Sequence, residues 1–294
     1  MELVDFSNCE IDQTRIYRGA NGKKLGINYK NDIYMLKFPA LGKAEDISYS
    51  NSSISEYIAC HIFENSGFKT QQTVLGIFRK DKEQKIACAC KDFTISNNEL
   101  IEFAQVKNGV LLDSPSNGYG VELSEVLKAI DEQHLMPSET VKDFFWQMFI
   151  MDALLGNFDR HNGNWGFVIN RDKGIIDFAP IFDCGSCLYP QLTDEMMGEY
   201  INDLNELNKR VFVFPNSALK INNQKINYYD FITSVENVEC NKALKDVWSR
   251  INLDSINSII DKTPGISDIR KEFYKTILKM RYKLILEYAV NKLN

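Results

Sequence analysis

Apolar and polar residues alternate along much of the first third of the chain, and helical spacing enters late. Residues Ile16–Tyr29 hold two short β-prone stretches about a Gly/Asn-rich centre, which predicts a hairpin. Asp32–Phe38 predicts a third strand, stopped by Pro39. Helical spacing begins at Ile54, where Ile54, Ile58, Ile62 and Phe63 share one face, and Ser66-Gly67 closes the run at Asn65. Two more strands fit Val74–Phe78 and Lys85–Lys91, separated by a charged turn.

From about residue 96 onward the pattern is mostly helical. A short helix is predicted over 122–130. A stronger one opens at Pro137-Ser138, runs to Leu155 and stops at Gly156. Val141, Phe144, Phe145, Met148, Phe149, Asp152 and Leu155 follow its spacing, as expected of a buried central helix. Trp165–Phe178 reads as a hairpin about the polar turn Asn170–Gly174. Residues 191–228 are Asn-rich and give no clear period. Two later helices, over 254–261 and from 268 to about 290, are separated by Pro264-Gly265. The order predicts an α+β chain, with a small β-rich lobe holding one helix over 1–95 and a larger, mostly helical lobe over 96–294.

Composition narrows the setting. The 294 residues are 44% hydrophobic, an ordinary globular value, and the length suits two sub-domains about one cleft. A net charge of -6 gives no electrostatic reason to expect nucleic acid or an anionic membrane as partner. No run approaches the ~18 apolar residues of a membrane helix, so stable membrane insertion is not expected. The N-terminus lacks the basic segment and apolar core of a standard signal peptide. The seven cysteines sit mostly in apolar runs and read as reduced, buried thiols. Cys184 and Cys187 have C-x-x-C spacing, but no second pair lies nearby to complete a zinc site. A redox role for that pair stays open.

The chemistry gathers in a few places. Asp159-Arg160-His161 and Asn164 directly follow the central helix and precede the hairpin; Asp183 follows it, before Gly185. A hairpin returns the chain near its start, so Asn164 and Asp183 come within reach of one ion, and their oxygens suit Mg²⁺ rather than zinc. Asp159 can then orient or deprotonate an attacking hydroxyl. Arg160 and His161 either brace the loop or contact phosphate or substrate. In the first lobe, Gly19, Asn21, Gly22 and Lys23 lie in a turn whose amides can approach an anion. Lys37 interrupts an apolar strand and Glu56 lies early in the first helix, which suggests an ion pair holding the ammonium against a phosphate.

Asp159-Arg-His-x-x-Asn164, the intervening hairpin and Asp183-x-Gly185 resemble the HipA-like kinases, distant relatives of protein and phosphoinositide kinases. Within that group the short layout is most similar to its proinflammatory, cell-translocating members. Most of the likeness rests on Leu154–Phe167 and Ala179–Pro190; Ser55–His61, Cys90–Phe93 and the I-N-Y-Y-D-F run ending at Phe231 add to it. The resemblance implies a bilobal protein-kinase-like fold and ATP- and Mg²⁺-dependent phosphorylation of protein Ser or Thr, with autophosphorylation. It implies Asp159 as base or hydroxyl-orienting group, with His161 beside it, Asn164 and Asp183 as Mg²⁺ ligands, Lys37 on the ATP phosphates and Glu56 as its partner. Lys91, Asp92 and Phe93 fall where the chain crosses between lobes, so their backbone is expected to meet adenine. Unlike the larger toxins of the group, Gly19–Lys24 has no Ser or Thr, so control through a phosphorylated loop is not expected there. Ser48, Ser50, Ser52 and Ser53 are other hydroxyls open to modification. The implied settings are a bacterial cytoplasmic toxin with an antitoxin partner, or an effector moved by a non-classical route onto host proteins. The same residues also suit a small-molecule or lipid kinase, or an inactive nucleotide-binding subunit of a toxin–antitoxin complex.

Overall fold

A computed structural model of the chain describes residues 2–17, 24–41, 48–80, 83–112 and 115–294. They form two compact units. The first comprises Met1–Phe93, Pro180–Glu199 and Asp254–Tyr274; the second comprises Thr94–Ala179, Tyr200–Leu253 and Lys275–Asn294.

In the first unit, β1 (Val4–Asp5), β2 (Glu10–Ile11), β3 (Lys24–Tyr29) and β4 (Asp32–Lys37) are followed by the short pair β5 (Ala40–Leu41) and β6 (Ser48–Tyr49). Helix α1 (Ser52–Asn65) and strands β7 (Thr73–Lys80) and β8 (Glu83–Lys91) come next. The main sheet has order β1-β7-β8-β4-β3-β2. The hairpin differs from the one the sequence predicts. Strand β3 turns into β4 through Lys30-Asn31, both with positive φ (51° and 65°), and Lys24 pairs with Lys37 at the open end. A two-residue turn of that conformation matches strand twist, and it fixes the register without help from Ile16 or Tyr17. The other flank of β3 pairs with β2.

Side chains alternate across the sheet. On one face Phe6, Ile27, Tyr34, Leu36, Ala87 and Ala89 form a buried cluster. Phe6, Tyr29 and Tyr34 meet edge to face there. Lys37, one residue past Leu36, therefore points to the other face. Helix α1 packs against β7 and β8 through Ile54, Ile58, Ile62 and Phe63, all buried as their spacing predicts. Each such side chain is worth roughly 1.5–3 kcal/mol on burial. The helix ends at Ser66, with Gly67 at φ 86°.

The second unit is mostly helical. It begins with β9 (Asn98–Glu102), α2 (Phe103–Leu111), α3 (Leu123–Glu132) and α4 (Ser138–Leu155), followed by β10 (Gly166–Asn170) and β11 (Ile175–Phe178). Strand β10 is central to a three-stranded antiparallel sheet, with β11 on one side and β9 on the other. The sequence predicts the hairpin but not β9, whose Asn-Glu-Leu-Ile-Glu run gains a strand only by pairing with a segment 64 or more residues away. Helix α4 is buried along nearly its whole second half, including Met151, Leu154 and Leu155. Gly156 ends it in the left-handed conformation.

The Asn-rich stretch resolves into α5 (Asp194–Ile201), α6 (Leu204–Phe212) and a hairpin of β12 (Asn216–Ile221) and β13 (Gln224–Asn227), turned by Asn222-Asn223 with positive φ. Helices α7 (Tyr228–Ser234), α8 (Val238–Arg250), α9 (Leu253–Lys262) and α10 (Asp268–Arg281) follow, and the chain continues through a π-helical turn, Tyr282–Glu287, into α11 (Tyr288–Lys292). Among the described residues, no helix is long and apolar enough to cross a membrane.

The tightest joint in the first unit is Gly76, opposite Val4 in the parallel β1–β7 pair. A Cβ there would lie 2.2 Å from the Val4 carbonyl oxygen and 2.4 Å from the Phe6 ring. Gly76→Ala is expected to cost about 1–3 kcal/mol in a urea titration and to expose the N-terminal strand to early proteolysis.

Candidate active site

The sheet and α1 deliver Lys37 and Glu56 to one point. Lys37 Nζ donates to Glu56 Oε1 at 3.1 Å and to Asp183 Oδ1 at 2.9 Å. Asp183 reaches this point because its segment is pinned within the first unit. Ile181 bridges Thr70, with Gln71 N donating to Ile181 O and Ile181 N to Lys69 O. Asn51, which precedes α1, donates through Nδ2 to the carbonyls of Pro190 and Leu192. Arg270 also holds the Leu192 carbonyl, and pairs with Asp194 at 2.5 Å. Asp183 itself has φ 55°, a left-handed conformation that short polar residues tolerate best. Gly185 passes close to the helix, where a Cβ would meet Glu56 Oε2 at 3.4 Å.

The electrostatics follow from burial. Burial alone would push the Lys37 ammonium down, but Asp183 and then Glu56 outweigh it and hold its pKa well above the usual lysine value. Burial raises Glu56 above the ordinary carboxylate range; Lys37 pulls it down only in part, and the Asp183 charge pushes it up again. Lys37 and Glu56 are almost closed off from solvent, whereas the Asp183 side chain is 42% exposed. That exposed carboxylate, beside a fixed ammonium, has the donor chemistry a hard cation such as Mg²⁺ takes.

Lys24, the last residue of the Gly19–Lys24 turn that the sequence singles out, joins this cluster through its side chain. Burial pushes its pKa down, with Asp183, Lys37 and Glu56 as its charged neighbours. The register of the Lys30-Asn31 turn, which sets Lys24 opposite Lys37, is the signal that finds it. Gly19, Asn21, Gly22 and Lys23 lie outside the described residues. Around Lys91–Phe93 much of the backbone is committed: Lys91 N donates to Gln72 O, Asp92 N to Ile33 O, and Gln71 Nε2 to Lys91 O. The Lys91 side chain pairs with Asp32 at 2.7 Å, buried Asp92 accepts from Tyr17 OH, and Phe93 packs on Phe182. Among the described residues none of the seven cysteines forms a disulfide, Cys184 and Cys187 included, and no cluster of three His, Cys, Asp or Glu side chains could hold a metal.

In the second unit the segment Asp159–Asn164 is built on the end of α4. Asp152, buried in the helix, accepts from Arg160 Nε (2.9 Å) and Nη2 (3.2 Å) and from Asn157 Nδ2 (2.8 Å). Arg160 Nη1 donates to the Asn164 carbonyl at 2.9 Å, and Asn164 Nδ2 donates to the Asp159 carbonyl at 2.8 Å. Arg160 thus braces the loop, one of the two roles its sequence position allows. The amide nitrogen of Asn164 is committed, so Oδ1 is the end suited to a cation. His161 donates its backbone N–H to the Asp159 carbonyl and accepts from Gly163 N at Nδ1 (3.0 Å). Two further bonds anchor the helix end: Tyr228 OH donates to Asn157 O, and the buried Arg281 donates to Ala153 O. Asp152 is absent from the sequence-derived site. A carboxylate on the buried face of an apolar helix requires a partner, and that requirement is its signal.

Arg160→Ala leaves Asp152 buried without its cation and is expected to cost about 3–5 kcal/mol in a urea titration. Glu56 behaves oppositely. Its folded pKa lies above the unfolded value, so its ionised form weakens the fold as pH rises from the unfolded value through the folded one. Glu56→Gln mimics the neutral carboxyl and leaves Lys37 its Asp183 partner. At pH 7 it is expected to match or exceed wild-type stability, by no more than about 1 kcal/mol, with the advantage shrinking as pH falls toward 4.

Residues 17–263 match the model of the HipA-like C-terminal domain. The serine/threonine-protein kinase CtkA of Helicobacter pylori strain J99 is 45% identical over 291 residues, covering 98% of this chain and 88% of that protein. The crystal structure of the Helicobacter pylori proinflammatory kinase CtkA superposes with a TM-score of 0.91 at 45% identity, over 99% of this chain and 97% of that one. HipA of Shewanella oneidensis MR-1, solved in a toxin–antitoxin complex with HipB and operator DNA, shares the fold at 14% identity, with a TM-score of 0.52 over 97% of this chain and 70% of its own. With a family model over most of its length, and a relative this similar end to end, the chain belongs to the HipA-like family of serine/threonine kinases and carries its α+β fold.

Proposed function

We propose that this protein transfers the γ-phosphoryl group of magnesium-bound ATP to serine or threonine hydroxyls of proteins, itself included. The observation that carries this reading is the buried Lys37 ammonium held by Glu56 on one side and Asp183 on the other. An ammonium so placed is fixed in position and stays charged, which is what stabilising a phosphoryl group in flight requires.

Roles follow residue by residue. Lys37 holds the ATP phosphates, Glu56 fixes Lys37, and Lys24 adds positive charge at the same point. Asp183 is the metal-binding carboxylate and Asn164 the metal-binding amide. Asp159 accepts the hydroxyl proton or orients the hydroxyl, at the start of a segment already braced by Arg160. His161 shapes the acceptor side of Asp159, and the backbone about Asp92-Phe93 takes adenine. Residues 1–95 are the nucleotide-binding lobe in this reading, and 96–294 the catalytic lobe. The 45% identity to a protein named as a proinflammatory kinase favours an effector acting on host proteins, reached by a non-classical export route, over a toxin held by an antitoxin.

Intact-mass analysis after incubation with Mg²⁺-ATP tests the reading. The wild type is expected to gain one or more phosphates, and Asp159→Ala and Asp183→Ala to slow that gain by about 100-fold or more with the fold intact. Normal gain in Asp183→Ala would remove it from the chemistry. Transfer to an inositide or sugar in preference to any protein would make this a small-molecule kinase.

A further inference from the structure

The loop Ser116–Gly120 is fastened to the Asp159–Asn164 segment more firmly than a connection needs. Asn162, fully buried, donates through Nδ2 to Gly118 O at 2.9 Å and to Gly120 O at 2.8 Å, gripping the backbone on both sides of Tyr119. Its own carbonyl accepts from Ala104 N. Gly118 has φ 78° and leaves no room for a side chain, since a Cβ would fall 1.8 Å from the Ala104 carbonyl oxygen. Lys107, also fully buried, lies beneath the same loop, 3.3 Å from where a Gly120 Cβ would be, and pairs with Glu125.

This scaffold holds one aromatic ring. Tyr119 lies against Gly163, whose Cβ would meet Tyr119 Cε1 at 2.7 Å, and its ring contacts His161 edge to face with centroids 5.9 Å apart. Its hydroxyl donates to Glu102 Oε2 at 2.7 Å. Yet Tyr119 remains 48% exposed. A half-exposed ring fixed at both its backbone and its hydroxyl, against the segment that carries Asp159, is a ready contact for whatever brings its hydroxyl there. The phenol proton is engaged by a carboxylate, so the ring offers its π face rather than a hydrogen bond, and that carboxylate adds negative potential behind it. Such a surface favours a cation.

We propose that the Tyr119 ring, held over the Asp159–Asn164 segment by Asn162 and Glu102, binds a Lys or Arg side chain adjoining the Ser or Thr that receives the phosphoryl group. This rests on the protein-kinase reading above. Neighbouring residues of an extended peptide are ~3.3 Å apart along the chain, so the basic residue falls within one or two positions of the acceptor.

The test uses the full chain and two synthetic peptides of one sequence, each with a single Ser flanked at those positions by Arg in one and by Leu in the other. Wild type is expected to favour the Arg peptide in kcat/KM by about 3- to 30-fold, the range of a cation–π contact. Tyr119→Ala is expected to erase that preference through the peptide KM, with the KM for ATP unchanged, and Tyr119→Phe to retain most of it because the ring remains. Equal use of both peptides by wild type would overturn the proposal. So would an unaltered preference in Tyr119→Ala, or autophosphorylation accompanied by transfer to neither peptide. Absence of any phosphate transfer, even to the protein itself, would instead sink the kinase reading on which the proposal stands.

Discussion

The first unit is organised around the Lys37 ammonium. Removing an ammonium from water costs several kcal/mol even after relaxation, and ion pairing recovers it only where contacts are close and further hydrogen bonds are made. Lys37 has two carboxylate partners, each at about 3 Å. At an effective dielectric of ~20 a contact of that length is worth about 5 kcal/mol of attraction, enough for the pair of them to hold the charge in place. Much of the unit's local design serves that arrangement. The β3–β4 turn sets the strand register, α1 covers the face on which Lys37 emerges, and three separate backbone anchors return the chain at Ile181–Leu192 so that Asp183 arrives.

The second unit solves a related problem with a different charge. Asp152 and Arg160 are both buried, and their mutual bonds are supplemented by Asn157 and by the Asn164 carbonyl. The product is a rigid platform at the end of α4 on which Asp159, His161 and Asn164 are set. In both units an aspartate assigned to chemistry is the more accessible member of a network whose inner members are closed off. Asp183 is far more exposed than Glu56, and Asp152 and Arg160 lie deeper than Asp159. The inner members hold geometry and the outer ones remain available to react.

Elements with a strong local signal were legible from residues alone. The spacing of α1 and α4, the glycine stops at Gly67 and Gly156, and the hairpin about Asn170–Gly174 all rest on patterns within one segment. The sequence marks the longer Gly/Asn-rich stretch as the turn rather than Lys30-Asn31, because composition marks a turn more loudly than register does. Strand β9 is not legible locally because nothing in its own five residues demands a strand; its partner β10 does.

The sequence by itself determined which chemical groups are present and in what order: a lysine in an apolar strand, a glutamate on the next helix, and two acidic motifs flanking a hairpin. It also carried the family, since those motifs keep their spacing. What only the tertiary structure decided is which groups meet within each unit. Asp183 joins Lys37 across 146 residues of chain, Lys24 comes alongside through strand register, and Tyr119 is laid over Gly163 by a clamp from Asn162. None of these can be read from spacing, because periodicity reports which way a side chain points from its own element. It does not report which distant backbone the fold brings to meet it.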